Sequence, residues 1–405
     1  MRQVYLDHAA TTPIHPEVLE RMQPFFSEKF ANPSSFHTPG LEAKKAVDEA
    51  RKSIASSLNA HADEMVFCSG GTESDNLAIF GVIRAQQHAV RGTQYEIPHV
   101  ITSSVEHHAV LEPLQYLAKT KAIDLTVLPV DKFGKIAVSD LEEALRPETV
   151  LVSVMYANNE IGTIQPIADI GRALLKWRKT NATQLPYFHS DACQAAGALD
   201  LDVEKLHVDL LTLNGSKIYG PKGIGLLFVR RGMKLAPQIR GGGQERGLRS
   251  GTENVPGIIG LAAALELAQA GKDKENARLI RLRDDLINGL LTIGKTRLNG
   301  HPTERLPNNV NVSFMDIEGE AAVLYLDAKG IYCSTGSACA SSSLDPSHVI
   351  LATGVSYEAA HGSLRFTLGH STRPSDIGYV LKTIPDIVKK LRQMSPVNLD
   401  MRHFA

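Results

Sequence analysis

The chain has 405 residues, 43% of them hydrophobic and 21% charged, with a formal net charge of −1. That length allows roughly two or three units of about 150 residues and a core that needs no disulfide staples. Balanced charge excludes a global field drawing the chain to nucleic acid or an anionic membrane, so neither is expected as a partner. The first residues carry no apolar signal core, and no apolar run approaches the roughly 18 residues that span a bilayer. A cytoplasmic enzyme is the default expectation. Cys68, Cys193, Cys333 and Cys339 form no CxxC pair and are spaced wrongly for structural zinc, so no stable metal is expected.

In chain order, Leu41, Ala46, Val47, Ala50, Ile54 and Leu58 recur at helical spacing. Short apolar runs follow at 65–68, 99–102, 125–130, 150–155, 187–190, 209–213 and 225–229, separated by helix-length segments. This alternation predicts an α/β fold with a mostly parallel sheet covered on both faces. The texture then changes. A charged helix is predicted over 274–293. A half-exposed strand is predicted over 309–314, with Val310, Val312 and Phe314 on one face. A helix over 318–328, a short strand over 331–333 and a final helix after Pro374 complete a smaller α+β unit. Boundaries of 15–262 for the large unit, and 1–14 with 263–405 for the small one, follow. The polar tail 395–405 reads as disordered or as a partner contact.

Two features carry chemistry. Lys217 lies in the small-residue turn 214–225 (NGSKIYGPKGIG), 26 positions after Asp191. A turn lysine downstream of a strand-ending aspartate suits pyridoxal phosphate: the amine can form a Schiff base and the carboxylate can keep the pyridine nitrogen protonated. Lys222 reads as an ordinary surface lysine. The run 68–76 (CSGGTESDN) leaves the first predicted strand and opens a helix. Gly71 lets backbone approach a ligand, Thr72 adds a hydroxyl, and the helix start offers free N–H groups to a phosphate. A plain turn capped by Thr72 or Ser74 is the ordinary alternative.

Ten ordered runs then match one family: 5–12 (YLDHAATT), 32–35 (NPSS), 71–76 (GTESDN), 105–108 (VEHH), 158–162 (NNEIG), 189–194 (HSDACQ), 217–223 (KIYGPKG), 241–252 (GGGQERGLRSGT), 336–339 (GSAC) and 364–366 (LRF). The chain resembles the cysteine desulfurases that make persulfide for iron–sulfur clusters and for thiolated cofactors or tRNA. The resemblance implies the aspartate aminotransferase-like, pyridoxal-phosphate-dependent transferase fold and a homodimer whose copies complete each other's sites.

It also implies roles. Lys217 carries the cofactor and moves the substrate Cα proton. Asp191 pairs with the pyridine nitrogen, and Gln194 and Asn159 bond the phenolic oxygen. His107 stacks on the ring as acid–base group; His108 is its ordinary neighbour. Gly71, Thr72, Asn214 and Ser216 serve the phosphate, and Thr252 reaches the cofactor of the second copy. Arg365 grips the substrate carboxylate, assisted by Asn32 and Asn159. Cys339, in the small-residue run 334–343, attacks the sulfur of L-cysteine and holds the persulfide for a sulfur-acceptor protein, an iron–sulfur scaffold or a tRNA-thiolation protein. Cys333 reads as packed. Relatives commonly carry histidine at the Ser216 position, often serine at Asn214 and often threonine at Cys193, which leaves the phosphate contacts open. A selenocysteine or cystine lyase on the same fold, or a non-catalytic assembly partner, are the other readings.

Overall fold

In the computed structural model the described residues are 2–90, 97–336 and 345–404. Twelve strands occur among them: β1 (Val4–Tyr5), β2 (Met65–Cys68), β3 (His99–Ser103), β4 (Asp124–Leu128), β5 (Thr149–Ser153), β6 (Tyr187–Asp191), β7 (Leu210–Asn214), β8 (Gly225–Val229), β9 (Thr296–Asn299), β10 (Asn309–Phe314), β11 (Ile331–Tyr332) and β12 (Ser363–Thr367). Seven make the central sheet, in the order β2-β8-β7-β6-β5-β3-β4. All pairs are parallel except those of β8, which runs antiparallel to β2 and β7. Every residue of β2, β3, β5 and β8 is buried, as a sheet covered on both faces requires. The seven apolar runs in the sequence are these seven strands, with ends shifted by a residue or two.

Two apolar cores flank that sheet. One takes Val47, Ile54, Phe188, Leu211 and Phe228, and the other takes Val66, Ile79, Ile83, Val100 and Leu114. The helix Thr38–Ser57 buries Ala43, Val47, Ala50 and Ile54. Leu41, placed on its inner stripe by periodicity, is exposed instead, and Ala43 takes the inward position.

A separate core joins Val4 and Leu6 to the antiparallel sheet β12-β10-β9 and to the helices Gly319–Asp327 and Pro374–Met394. β1 pairs with β11, which brings the amino terminus into this second layer. β10 is buried along its whole length, not half-exposed: Asn309 and Asn311 on its other face bond the carbonyl of Glu160 across the boundary. The charged helix is longer than its pattern implies. It runs Val255–Leu291, 37 residues, with Val255 to Leu265 in the first core and Leu279 to Leu290 in the second. A continuous helix therefore links the two cores where a composition change suggested a boundary. The tail is packed rather than loose: Leu399 N donates to Asp316 Oδ1 (2.6 Å) and Ser356 N to His403 O (3.1 Å). Among the described residues, no helix is long and apolar enough to cross a membrane.

Candidate active site

The carboxyl-terminal ends of the parallel strands open on a cavity of about 300 Å³ beside the second layer. Crevices at that end of an α/β sheet are where ligands bind, and the volume suits a small molecule. Asp191 ends β6, Asn214 ends β7, and the turn Gly215–Lys217 follows at once. Gly71, Thr72, His107, Asn159, Asp191, Gln194, Asn214, Ser216, Lys217 and Arg365 all line this cavity. Asn32 and Thr252 do not; both are exposed, and Asn32 Oδ1 instead accepts from Ser34 N (2.9 Å). Residues 337–344, with Cys339, lie outside the described residues, whereas Gly336 lines the cavity. Lys222 is exposed and does not line it.

Lys217 Nζ donates to the carbonyls of Ala9 (2.8 Å) and Ala10 (2.6 Å). Gln194 Nε2 donates to the same Ala9 carbonyl (3.0 Å), so its amide faces the amino-terminal segment. That segment is pinned in turn: Thr12 N donates to Ser216 O (2.9 Å), and Tyr219 N to Thr12 Oγ1 (2.8 Å). Asp191 Oδ1 accepts from Cys193 N (2.9 Å), which aims the carboxylate along the strand end.

His107 caps the helix His108–Lys119: its Nδ1 accepts from Ala109 N at 3.1 Å. With Nδ1 accepting, a neutral ring carries its hydrogen on Nε2. Burial lowers its pKa, against the opposing pull of Asp191. His108 also borders the cavity, but its ring stands against His348 (centroids 4.9 Å apart) and its Nδ1 lies 3.5 Å from Glu112.

Three buried carboxyls on the cavity wall escaped the sequence reading. Glu106 accepts from Ser103 Oγ (2.5 Å) and from Met155 N (2.9 Å), and burial pushes its pKa up to about 8. Glu160 accepts from Ser347 Oγ (2.5 Å), and burial raises it to about 7. Asp75 is raised by burial and then by the charge of Asp191. Each sits beside a motif residue (Asp75 in the GTESDN run, Glu106 before His107, Glu160 after Asn159), but only folding shows that these carboxyls face inward.

The cavity wall is chemically unfinished in a way that fits a phosphate-bearing cofactor and an amino acid. Asn214 Oδ1 and Arg365 Nε are buried with no hydrogen-bond partner. Such orphans are costly unless a ligand meets them. Arg365 Nε is a donor suited to a carboxylate. The Asn214 amide, turned over about its terminal bond, offers a donor to an anion. A Cβ on Gly71 would lie 2.8 Å from Cys193 Sγ and 3.2 Å from Asn214 Nδ2, so glycine keeps the first turn of the helix Gly71–Val90 open. The free N–H groups of that turn favour an anion.

Cys68, Cys193 and Cys333 are buried, Cys333 packed as its sequence context implies. Burial pushes Cys68 up to about 12, and raises Cys193 and Cys333 as well. All three are therefore thiols at neutral pH and poor nucleophiles.

Comparison with known proteins agrees with this geometry. The aminotransferase class-V family model matches residues 4–380. A cysteine desulfurase IscS of Methanosarcina thermophila is 52% identical over 396 residues, covering 98% of this chain and 94% of that protein. The cysteine desulfurase IscS of Dictyoglomus turgidum is 50% identical, covering 98% and 97%. Among solved structures, a NifS-like protein superposes with a TM-score of 0.87 at 37% identity, covering 96% of this chain and all of that one. SspA in complex with cysteine gives 0.77 at 36% identity, covering 90% and 99%. The chain belongs to the class-V aminotransferase family and, within it, to the cysteine desulfurases.

Proposed function

We propose that this protein binds pyridoxal 5′-phosphate, converts L-cysteine to L-alanine, and keeps the sulfur on Cys339 as a persulfide. The observation that carries the reading is one cavity holding Lys217, Asp191, His107 and an Arg365 with a buried, unpartnered Nε. Gly71, Thr72, Asn214 and Ser216 would hold the phosphate, Asp191 the ring nitrogen, and Gln194 and Asn159 the phenolic oxygen. When bound, that cofactor supplies an electron sink for breaking bonds at the substrate's Cα and Cβ.

The chain's own groups do the rest. Arg365 binds the α-carboxylate and orients the substrate. Lys217, held by the Ala9 and Ala10 carbonyls, moves the Cα proton. His107 presents Nε2–H as its deliverable proton. The Cys339 thiolate attacks the substrate sulfur; an S–S bond forms and the C–S bond breaks. The C–S electron pair stays with Cβ, which takes a proton to give L-alanine. Splitting one hard cleavage into two transfers is the advantage of a covalent carrier. The persulfide then passes to an acceptor protein, an iron–sulfur scaffold or a tRNA-thiolation protein.

We place Thr252 in the site of a second copy. Phe36 and Leu41 border the same surface hollow as Glu253, and Phe36 is 96% exposed. A large aromatic side chain left this exposed favours burial against another chain. Phe36→Glu is expected to give a monomer by light scattering and to weaken cofactor retention; an unchanged dimer would remove this reading of Thr252.

Intact mass after brief exposure to L-cysteine tests the function. Wild type is expected to gain sulfur and release alanine, while Cys339→Ser gains none and turns over negligibly. Alanine release with no sulfur retained, or equal turnover in the variant, would favour a lyase.

A further inference from the structure

Arg365 already has an anion in this chain. Its Nη2 donates to Asp7 Oδ1 at 2.9 Å and its Nη1 to Asn159 O at 3.1 Å, which leaves Nε without a partner. The arginine side chain is 3% exposed and that of Asp7 is 21% exposed. Asp7 is held independently of its carboxylate. Its backbone bridges to Thr367, two residues along β12 from Arg365, and its carbonyl accepts from Tyr5 OH (3.1 Å). Two residues further on, Ala9 and Ala10 hold Lys217.

We infer that Asp7 is a positioning residue whose charge sets how tightly Arg365 holds a carboxylate, and so keeps substrate and product exchangeable. The inference rests on Arg365 as the carboxylate-binding residue. A second carboxylate arriving at Nε meets a guanidinium already half neutralised and an Asp7 anion close beside it. At the effective dielectric of a partly buried site, that repulsion is large enough to shift affinity by roughly tenfold. Without it, a buried guanidinium with one acceptor fewer would bind an α-carboxylate more tightly, and alanine would leave more slowly.

Asparagine at position 7 is isosteric and can still accept from Arg365 Nη2, so Asp7→Asn removes the charge and keeps the orientation. The test uses holoenzyme and the absorbance of its bound cofactor to measure affinity for L-alanine and for L-alaninamide, which lacks the carboxylate. The ratio of the two dissociation constants is the readout, because a general loss of packing moves both alike. Asp7→Asn is expected to tighten L-alanine by roughly tenfold while alaninamide stays put, with a fall in KM for L-cysteine. Asp7→Glu, which keeps the charge, is expected to hold the wild-type ratio. Arg365→Gln is measured beside them. If it leaves the carboxylate preference intact, the reading of Arg365 fails and the inference falls with it. If it abolishes the preference while Asp7→Asn leaves the ratio unchanged, or weakens L-alanine relative to L-alaninamide, only the inference is overturned. A shift in Asp7→Glu equal to that in Asp7→Asn overturns it too.

Discussion

Lys217, proposed to move the substrate's Cα proton, is held by groups with no chemistry of their own. Two backbone carbonyls of the amino-terminal segment hold its amine, and the Thr12–Ser216 contact holds that segment. Proton transfer by a positioned side chain contributes about 10²–10⁴-fold. Lys217→Ala is therefore expected to lower alanine release by at least about 100-fold, measured at saturating L-cysteine, with the fold preserved by circular dichroism. Turnover within about threefold of wild type would assign the Cα proton elsewhere. The lysine was legible from its turn and its distance to Asp191. The inward-facing Glu106, Glu160 and Asp75 were not, because a carboxyl in a polar motif reads as solvated until packing removes its water.

At the scale of elements, the cavity depends on how closely one helix start approaches two strand ends. The helix Gly71–Val90 begins against Cys193 and Asn214, which follow and end neighbouring strands β6 and β7. Gly71→Ala places a methyl group 2.8 Å from Cys193 Sγ, closer than such contacts allow. The expected result is weakened cofactor retention, seen as a lower visible absorbance after gel filtration at equal protein concentration. Overpacking of this kind costs about 1–3 kcal/mol. Adding Cys193→Ala should restore part of the loss, since the sulfur is the nearest obstacle. No recovery in the double variant would shift the cause to Asn214.

For the whole molecule, buried titratable groups set how stability varies with pH. Glu106 is raised to about 8 and Glu160 to about 7, so the folded chain keeps protons that the unfolded chain releases above ordinary glutamate values. Their contribution is full at acid pH and is lost as pH rises through 7 and 8. His99 and His189 are lowered to about 4 by burial, so they act oppositely: stability rises with pH until the unfolded imidazoles lose their protons near 6.5. Above that point the carboxyls act alone. Thermal or urea unfolding of wild type is expected to weaken between pH 6.5 and 8, by at most about 1.4 kcal/mol per pH unit for each group. Glu106→Gln, which keeps an acceptor for Met155 N, should flatten that slope. An identical slope in the variant would mean that Glu106 is ionised in the fold.

The strands of the central sheet, the Lys217 turn and the glycine at the start of the helix Gly71–Val90 are properties of the sequence itself. They rest on local patterns, apolar runs between helix-length segments and glycines where backbone must come close, and local physics suffices to read them. The antiparallel insertion of β8, the amino terminus in the second layer, the burial of β10 on both faces and the 37-residue helix joining two cores were decided only by tertiary structure. So was the pairing of Asp7 with Arg365, 358 positions apart. Each depends on contacts between distant segments, which exclude water from surfaces that a local pattern would leave exposed, and no local pattern encodes a neighbour that far along the chain.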